Sequence, residues 1–244
     1  MDLISRIRDL AERSRSRNIY TYSDFLTPSE QAEVVASVKN PSVSFYGGAE
    51  DAERKIACFG SEEELFYPPE FPVELLRIKP TGEKFAGEIT HRDVLGATLN
   101  LGVERSKIGD ISIDGKTAYM AVYNTISQLL KDELKRVGRT VVEVDTVDCL
   151  PQSLNKKLVE KSVSVASPRA DAVVGAAYNL SRDESAKLFI TGRVAVNGRE
   201  FSDGSKKLKI GDVISVRGFG KFEYLDEGGL SRKGKLYIRI GVYA

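Results

Sequence analysis

The chain has 244 residues, 41% of them hydrophobic, with 36 lysines and arginines against 35 acids, a single histidine and two cysteines. That length and composition suit two or three globular units, and no run approaches the roughly 18 apolar residues of a membrane span. The chain opens on Asp2 and a basic run rather than an apolar leader, Cys58 and Cys149 form no CxxC pair, and His91 alone cannot build a structural zinc site; a cytoplasmic protein without metal or cofactor is expected.

Residues 3–17 place Leu3, Ile4, Ile7, Leu10 and Ala11 at helical spacing, with arginines opposite. Thr27-Pro28-Ser29-Glu30 predicts a capped helix start, and that helix is expected to reach Lys39 before Asn40-Pro41. Ser42–Tyr46 reads as a strand ending at Gly47-Gly48, and 49–59 as a further helix. Pro68, Pro69 and Pro72 mark 66–72 as an expected domain boundary.

Val73–Lys79 then reads as a strand and Thr90–Leu101 as a helix. Ile108–Ile113 and Lys116–Tyr123 form a hairpin about Asp114-Gly115. Asn124–Val137 reads as a helix ending at Gly138, and Thr140–Val147 as a strand. The order βαββαβ is that of a ferredoxin-like unit. Residues 148–167 read as a connector with strand content at 158–165.

From Arg169 the spacing becomes more specific. Arg169–Leu180 reads as a first amphipathic helix, and Ser181-Arg-Asp-Glu184 as the capping box of a second, which Gly192 ends. Val194–Val196 leads into an Asn197-Gly198 turn, and Leu208–Asp212 turns into an alternating strand to Arg217. The expected class is therefore α+β: an N-terminal unit at 1–72, a ferredoxin-like unit at 73–150 and a third module at 167–244.

Charge is segregated along this plan. Residues 50–74 carry eight acids and two bases, whereas 181–222 carry nine bases and five acids. Local charge decides where a phosphate backbone docks, so the near-zero total does not argue against nucleic acid. Helix starts bearing Arg169 and Arg182 favour phosphate. The candidate RNA contacts are Arg169, Arg182, Lys187, Arg193, Asn197, Lys206 and Arg217, with Arg169 and Arg182 foremost. Ser181 and Glu184 read as caps, Asn197 serves first as a turn residue, and Asp171 reads as an orienting partner for Arg182 or another base.

Several motifs imitate catalytic signatures. His91-Arg92-Asp93 lacks the asparagine of a kinase catalytic loop, since position 98 is Thr98, and no DFG follows. Gly218-Phe219-Gly220 is too short for a dinucleotide fingerprint. Tyr119 and Tyr123 share a strand face, but core packing is expected of them rather than base stacking.

The third module resembles the α-L RNA-binding domain named after ribosomal small-subunit protein S-four. Arg169, Asp171, Ser181-Arg182, Ala186, Ile190, Gly192, Val194, Val196-Asn197-Gly198, Leu208, Gly211-Asp212 and Ile214 carry the resemblance. Phe45-Tyr46-Gly47-Gly48, Asp51–Arg54, Thr90–Gly96, Leu101-Gly102, Lys107–Ile111 and Val216–Phe222 extend it, because together they resemble the YlmH-type proteins of bacteria. That resemblance implies a non-catalytic factor engaging rRNA and tRNA on large ribosomal subunits in ribosome-associated quality control of stalled nascent chains. Rival readings are an accessory of RNA-modifying enzymes, for which 1–166 offers no catalytic signature, and an adaptor whose acidic 50–74 segment binds a protein.

Overall fold

The computed structural model describes residues 2–38, 43–82, 87–151, 154, 158–231 and 234–243. The expected helix end at Lys39, the Asn40-Pro41 break and the strand start at Ser42 lie outside them. The fold is α+β and divides into two compact units, Met1–Asn155 and Lys156–Ala244. In the first unit, α1 (Leu3–Arg17) is capped by Asp2, whose carboxylate accepts the Ser5 amide at 2.7 Å, and it buries Ile7 and Ala11. Strand β1 (Thr21–Leu26) leads to α2 (Pro28–Ser37), where Thr27 and Glu30 form the full reciprocal capping box.

Strands β2 (Val43–Tyr46) and β3 (Lys55–Phe59) complete a three-stranded antiparallel sheet in the order β1-β3-β2. The helix expected over 49–59 is therefore a turn followed by a central strand. Ala57 and Phe59 pack with α1 and α2, while Ile56 packs on the opposite side with Phe25, Leu75 and Ala121. A strand buried on both faces reads as an unbroken apolar run, which periodicity cannot tell from a helix. A single turn, α3 (Glu62–Leu65), follows.

The second sheet of this unit is β4 (Val73–Pro80), β5 (Ile108–Asp114), β6 (Thr117–Tyr123), β7 (Arg136–Val137) and β8 (Thr140–Val147), ordered β5-β6-β4-β8-β7 and antiparallel throughout. Helices α4 (His91–Asn100) and α5 (Asn124–Glu133) cover one face, burying Leu76, Ile78, Val94, Met120 and Leu130. Alternate residues of β4 face the other way: Leu75 packs toward the first sheet, and Arg77 and Lys79 pair with Asp145 and Glu143. The two sheets thus share a buried cluster, and 66–72 links them within one compact unit instead of separating two.

Two local expectations shift. The β5–β6 turn centres on Gly115-Lys116, one residue later than expected, because Asp114 pairs with Thr117. Helix α5 stops at Glu133, short of Val137, since Arg136 and Val137 pair with Val141 and Thr140 across a tight Gly138-Arg139 turn. This hairpin buries both Leu134 and Val137.

The second unit is a six-stranded antiparallel sheet, β11-β10-β12-β13-β14-β9, packed with two helices. Its strands are β9 (Leu158–Val165), β10 (Val194–Val196), β11 (Arg199–Glu200), β12 (Val213–Val216), β13 (Gly220–Leu230) and β14 (Leu236–Tyr243); its helices are α6 (Ala170–Tyr178) and α7 (Arg182–Ile190). The expected connector is thus partly structural. Strand β9 pairs along its whole length with β14, from Leu158 opposite Tyr243 to Val165 opposite Leu236, and buries Val163 and Val165 in the core. The unit accordingly starts earlier than residue 167.

Candidate nucleic-acid interface

The starts of α6 and α7 face one cleft of about 380 Å³, which places Arg169 and Arg182 on the same wall system with Asp171 and Asp183. The loop 203–208 is laced to the first helix. The amides of Ala170 and Asp171 donate to the carbonyls of Lys206 and Gly204, both at 2.9 Å, and Leu208 donates to Pro168. Helix α6 therefore spends these N-terminal amides inside the chain, against the expectation that it offers them to phosphate.

Asp171 pairs with Arg169 rather than Arg182. The Arg169 guanidinium donates from Nε at 3.1 Å and from a terminal nitrogen at 2.6 Å to the two carboxylate oxygens. This hydrogen bond, reinforced by the nearby charge, holds the guanidinium more firmly protonated than usual. Arg182 is exposed and, among the described residues, has no carboxylate partner. It is the cation of this cleft most available to an anion.

Ser181 caps α7 as the sequence indicates, accepting from the Glu184 amide while the Glu184 carboxylate accepts from the Ser181 amide at 2.8 Å. That hydrogen bonding lowers the Glu184 carboxyl below its ordinary value. Lys187 is exposed further along α7 and does not line the cleft. Lys206 lies in the laced loop, its ammonium 5.9 Å from the Phe201 ring centre.

A second cleft, of about 350 Å³, brings together Arg193 and Arg217 with Glu200 on its wall. The Arg193 guanidinium donates to the Arg217 carbonyl at 2.7 Å, and the Arg217 amide donates to the Arg193 carbonyl at 2.9 Å. Asn197 joins neither cleft. Its side-chain amide donates to Asp212 at 2.8 Å and its side-chain oxygen accepts the Val213 amide at 2.9 Å, with the backbone at φ +50°. Asn197 thus locks the turn with one N–H and one oxygen lone pair, and its exposed side chain keeps a second N–H.

The first unit holds a cationic cleft that sequence reading passed over. Arg92 of α4 and Lys135 and Arg136 beyond α5 line about 580 Å³, with Asp93 and Glu133 beside them. Asp93 is engaged in the reciprocal cap with Thr90, whose hydroxyl and amide lower its carboxyl. The available signal was the run Lys135-Arg136 with Arg139 at a turn glycine. Tyr123 packs in the cluster between the sheets with Lys107 over its ring at 4.5 Å, which agrees with a packing role.

The remaining signatures meet in the first unit as structure. The amides of Glu53 and Arg54 donate to Asp110 at 2.5 and 3.1 Å, and the Arg54 guanidinium donates to the carbonyls of Ile108 and Phe25 at 3.0 and 2.9 Å. Gly109 lies so close to Phe25 that an added Cβ would sit 2.6 Å from the ring. Among the described residues, no group of three or more His, Cys, Asp or Glu side chains is disposed to hold a metal ion. No helix among them is long and apolar enough to cross a membrane.

Residues 68–150, which include the Arg92–Arg136 cleft, match the family model described as "Putative RNA-binding domain in YlmH". Over 218 residues the chain is 29% identical to the ribosome-associated protein quality control protein P2 of Bacillus subtilis (strain 168), covering 87% of this chain and 83% of that protein. The solved structure of the cell division protein ylmH from Streptococcus pneumoniae is similar at a TM-score of 0.48 and 22% identity, over 59% of this chain and 88% of that one. The signatures, the matched domain and the chain-long likeness agree: the chain is similar to the YlmH-type RNA-binding proteins, and residues 68–150 match the RNA-binding domain described for them.

Proposed function

We propose that the protein is a non-catalytic factor that binds rRNA and tRNA on the large ribosomal subunit, in the cytoplasm, during quality control of stalled nascent chains. The observation that carries this reading is the likeness to the Bacillus protein, which extends through both units rather than through the RNA-binding model alone. The geometry supports it with two cationic clefts, at Arg92–Arg136 and Arg193–Arg217, and with an arginine-bearing cleft at Arg169–Arg182 whose two acids balance its charge. The layout of the second unit is read as an α-L module and that of the second sheet as ferredoxin-like. Within the α-L module, Arg182 and Arg169 lead the contacts, with Lys187, Arg193, Lys206 and Arg217 adding cation density. Arginine suits this task because its planar fork meets phosphate bidentately and stacks on bases.

The test is co-sedimentation of the full chain with purified large subunits over a salt series. Arg182→Ala is expected to weaken association, and Arg169→Ala added to it to weaken it further. Each lost phosphate contact should flatten the logarithmic salt slope by roughly one unit. Unchanged association of a folded double variant would remove the α-L clefts from the reading. New modified nucleosides after incubation with rRNA would overturn its non-catalytic part.

A second reading, an adaptor using the acidic 50–74 segment, is favoured by one observation. Phe66 is 89% exposed just past α3, two residues after the last of its three glutamates. Neutralising Glu62, Glu63 and Glu64 in a pull-down separates it, because RNA-mediated association would not weaken.

A further inference from the structure

The turn joining β12 to β13 has a construction that phosphate binding alone does not require. The Phe219 amide donates to the Val216 carbonyl at 3.0 Å, and Gly218 and Gly220 flank the ring at φ +89° and +131°. A Cβ at 218 would come within 2.7 Å of the Arg193 guanidinium and displace it, and the φ of +89° at Gly218 disfavours a side chain there in any case. Arg193 in turn holds the Arg217 carbonyl. The turn is therefore fixed from beneath by an arginine that also belongs to the second cationic cleft.

On this turn Phe219 stands 43% exposed, yet it is not a loose surface ring. It packs on Tyr178 with centroids 5.4 Å apart and planes tilted by 47°, and Tyr178 packs on Phe222 at 5.9 Å. Phe222 is fully buried in the core of the second unit. An aromatic chain thus runs from the core to solvent and ends in a half-open ring two residues along the chain from Arg217. The Tyr178 hydroxyl is buried and, among the described residues, has no hydrogen-bond partner; it lies 3.6 Å from the Cβ position of Gly220. Leaving a buried hydroxyl unpaired is unfavourable, so Tyr178 is kept in this place by its ring packing rather than by its hydroxyl.

We propose that Phe219 is a stacking platform for an unpaired RNA base, with Arg217 meeting the adjoining phosphate and Arg193 holding the turn. The proposal rests on the RNA-binding reading of the second unit and adds a base-contacting residue to it. A ring held in place by packing has already lost its rotamer freedom, so stacking costs little further ordering. Every base presents a π face, so the platform selects single-stranded over paired RNA without reading sequence. Glu200 on the cleft wall repels phosphate and directs the backbone to the Arg217 side.

The experiment uses the full chain with two RNAs: a stem–loop whose loop contains a fluorescent adenine analogue, and the same stem as a blunt duplex. Wild type, Phe219→Ala, Phe219→Leu, Phe219→Tyr and Arg182→Ala are compared, each after a thermal melt confirms folding. Phe219→Ala is expected to weaken stem–loop binding by about tenfold, from the usual worth of one stacked base, with duplex binding unchanged. Phe219→Tyr should keep the quenching of the analogue, and Phe219→Leu should lose it despite similar bulk. Equal losses on both RNAs, or full quenching with leucine, would overturn the platform while leaving RNA binding intact. If wild type bound neither RNA, the underlying reading would fail, and Phe219 would fall with it.

Discussion

Asp171 clasps Arg169 by both carboxylate oxygens, two residues along the same chain, at the mouth of the cleft that also holds Arg182. The cleft walls therefore carry two cations and two acids, and one cation is already spent on one acid. An exposed pair of this kind is worth little to stability. Its larger effect is on the field that an approaching phosphate meets.

Asp171→Asn should accordingly tighten nonspecific RNA binding. Removing one negative charge leaves a net positive cleft and releases the Arg169 fork. The expected change at low salt is about threefold in affinity, with a logarithmic salt slope steeper by roughly one unit. Fluorescence anisotropy with a duplex RNA over a salt series measures both. A loss of affinity equal to that of Arg169→Ala would show that the clasp orients the arginine instead of occupying it.

Asp110 has the opposite character, a carboxylate whose role is to hold the fold. It accepts two amides from the 53–54 segment, while Arg54 reaches past it to the carbonyls of Phe25 and Ile108. Burial lowers the Arg54 guanidinium from its ordinary value, yet those carbonyls satisfy it. Asp110→Ala strands both amides, and Arg54→Lys replaces a branched donor with one ammonium. Each should destabilise the first unit by about 1–2 kcal/mol, in the range for lost hydrogen bonds at partly buried sites. Urea unfolding would show this as a lower midpoint with unchanged slope.

These contrasts explain what the sequence makes legible. The capping boxes at Thr27, Thr90 and Ser181 involve residues three apart, so local chemistry suffices to read them. The strand at Lys55–Phe59 is not legible locally because its identity comes from packing on both faces, by α1 and α2 on one side and by Leu75 and Ala121 on the other. Strand β9 owes its place to β14, 71 to 85 residues away in the chain, in Leu158–Tyr243 register. At the interface, arginines could be nominated by type and position, but partner choice could not. Asp171 turned to Arg169, and Asn197 engaged Asp212 and Val213 through its side chain. The anchoring of Phe219 is not legible in its own segment, because it depends on Tyr178, about 40 residues earlier, bridging it to the core.

The two cysteines should separate cleanly by reactivity. Cys58 is fully buried in β3, and burial pushes its thiol up to about 11, whereas Cys149 is exposed. Only the thiolate attacks a disulfide reagent. One fast thiol is therefore expected in the native protein at neutral pH, with the second appearing on unfolding. Cys149→Ser should abolish the fast phase; two fast thiols in the native wild type would contradict the buried central strand.

Acid should weaken the second unit through carboxylates that are held ionised by local hydrogen bonds. Glu184 is lowered from 4.5 by the amide and hydroxyl of Ser181, Asp203 from 3.8 by the hydroxyl and amide of Ser205, and Asp226 from 3.8 by Arg239. A folded-state value below the unfolded one means that the stabilisation is complete above the unfolded value and is lost as pH falls through the folded one. Melting temperature should therefore hold from neutrality down to about pH 5 and decline below it as these groups protonate. Glu184→Gln keeps a side chain able to accept from the Ser181 amide but cannot titrate, so its melting curve should decline less steeply in acid than that of wild type. Ser181→Ala removes the cap at every pH and should lower stability by about 1 kcal/mol even at neutrality. Parallel acid profiles for wild type and Glu184→Gln would show that the cap carboxylate does not carry its share of the acid sensitivity.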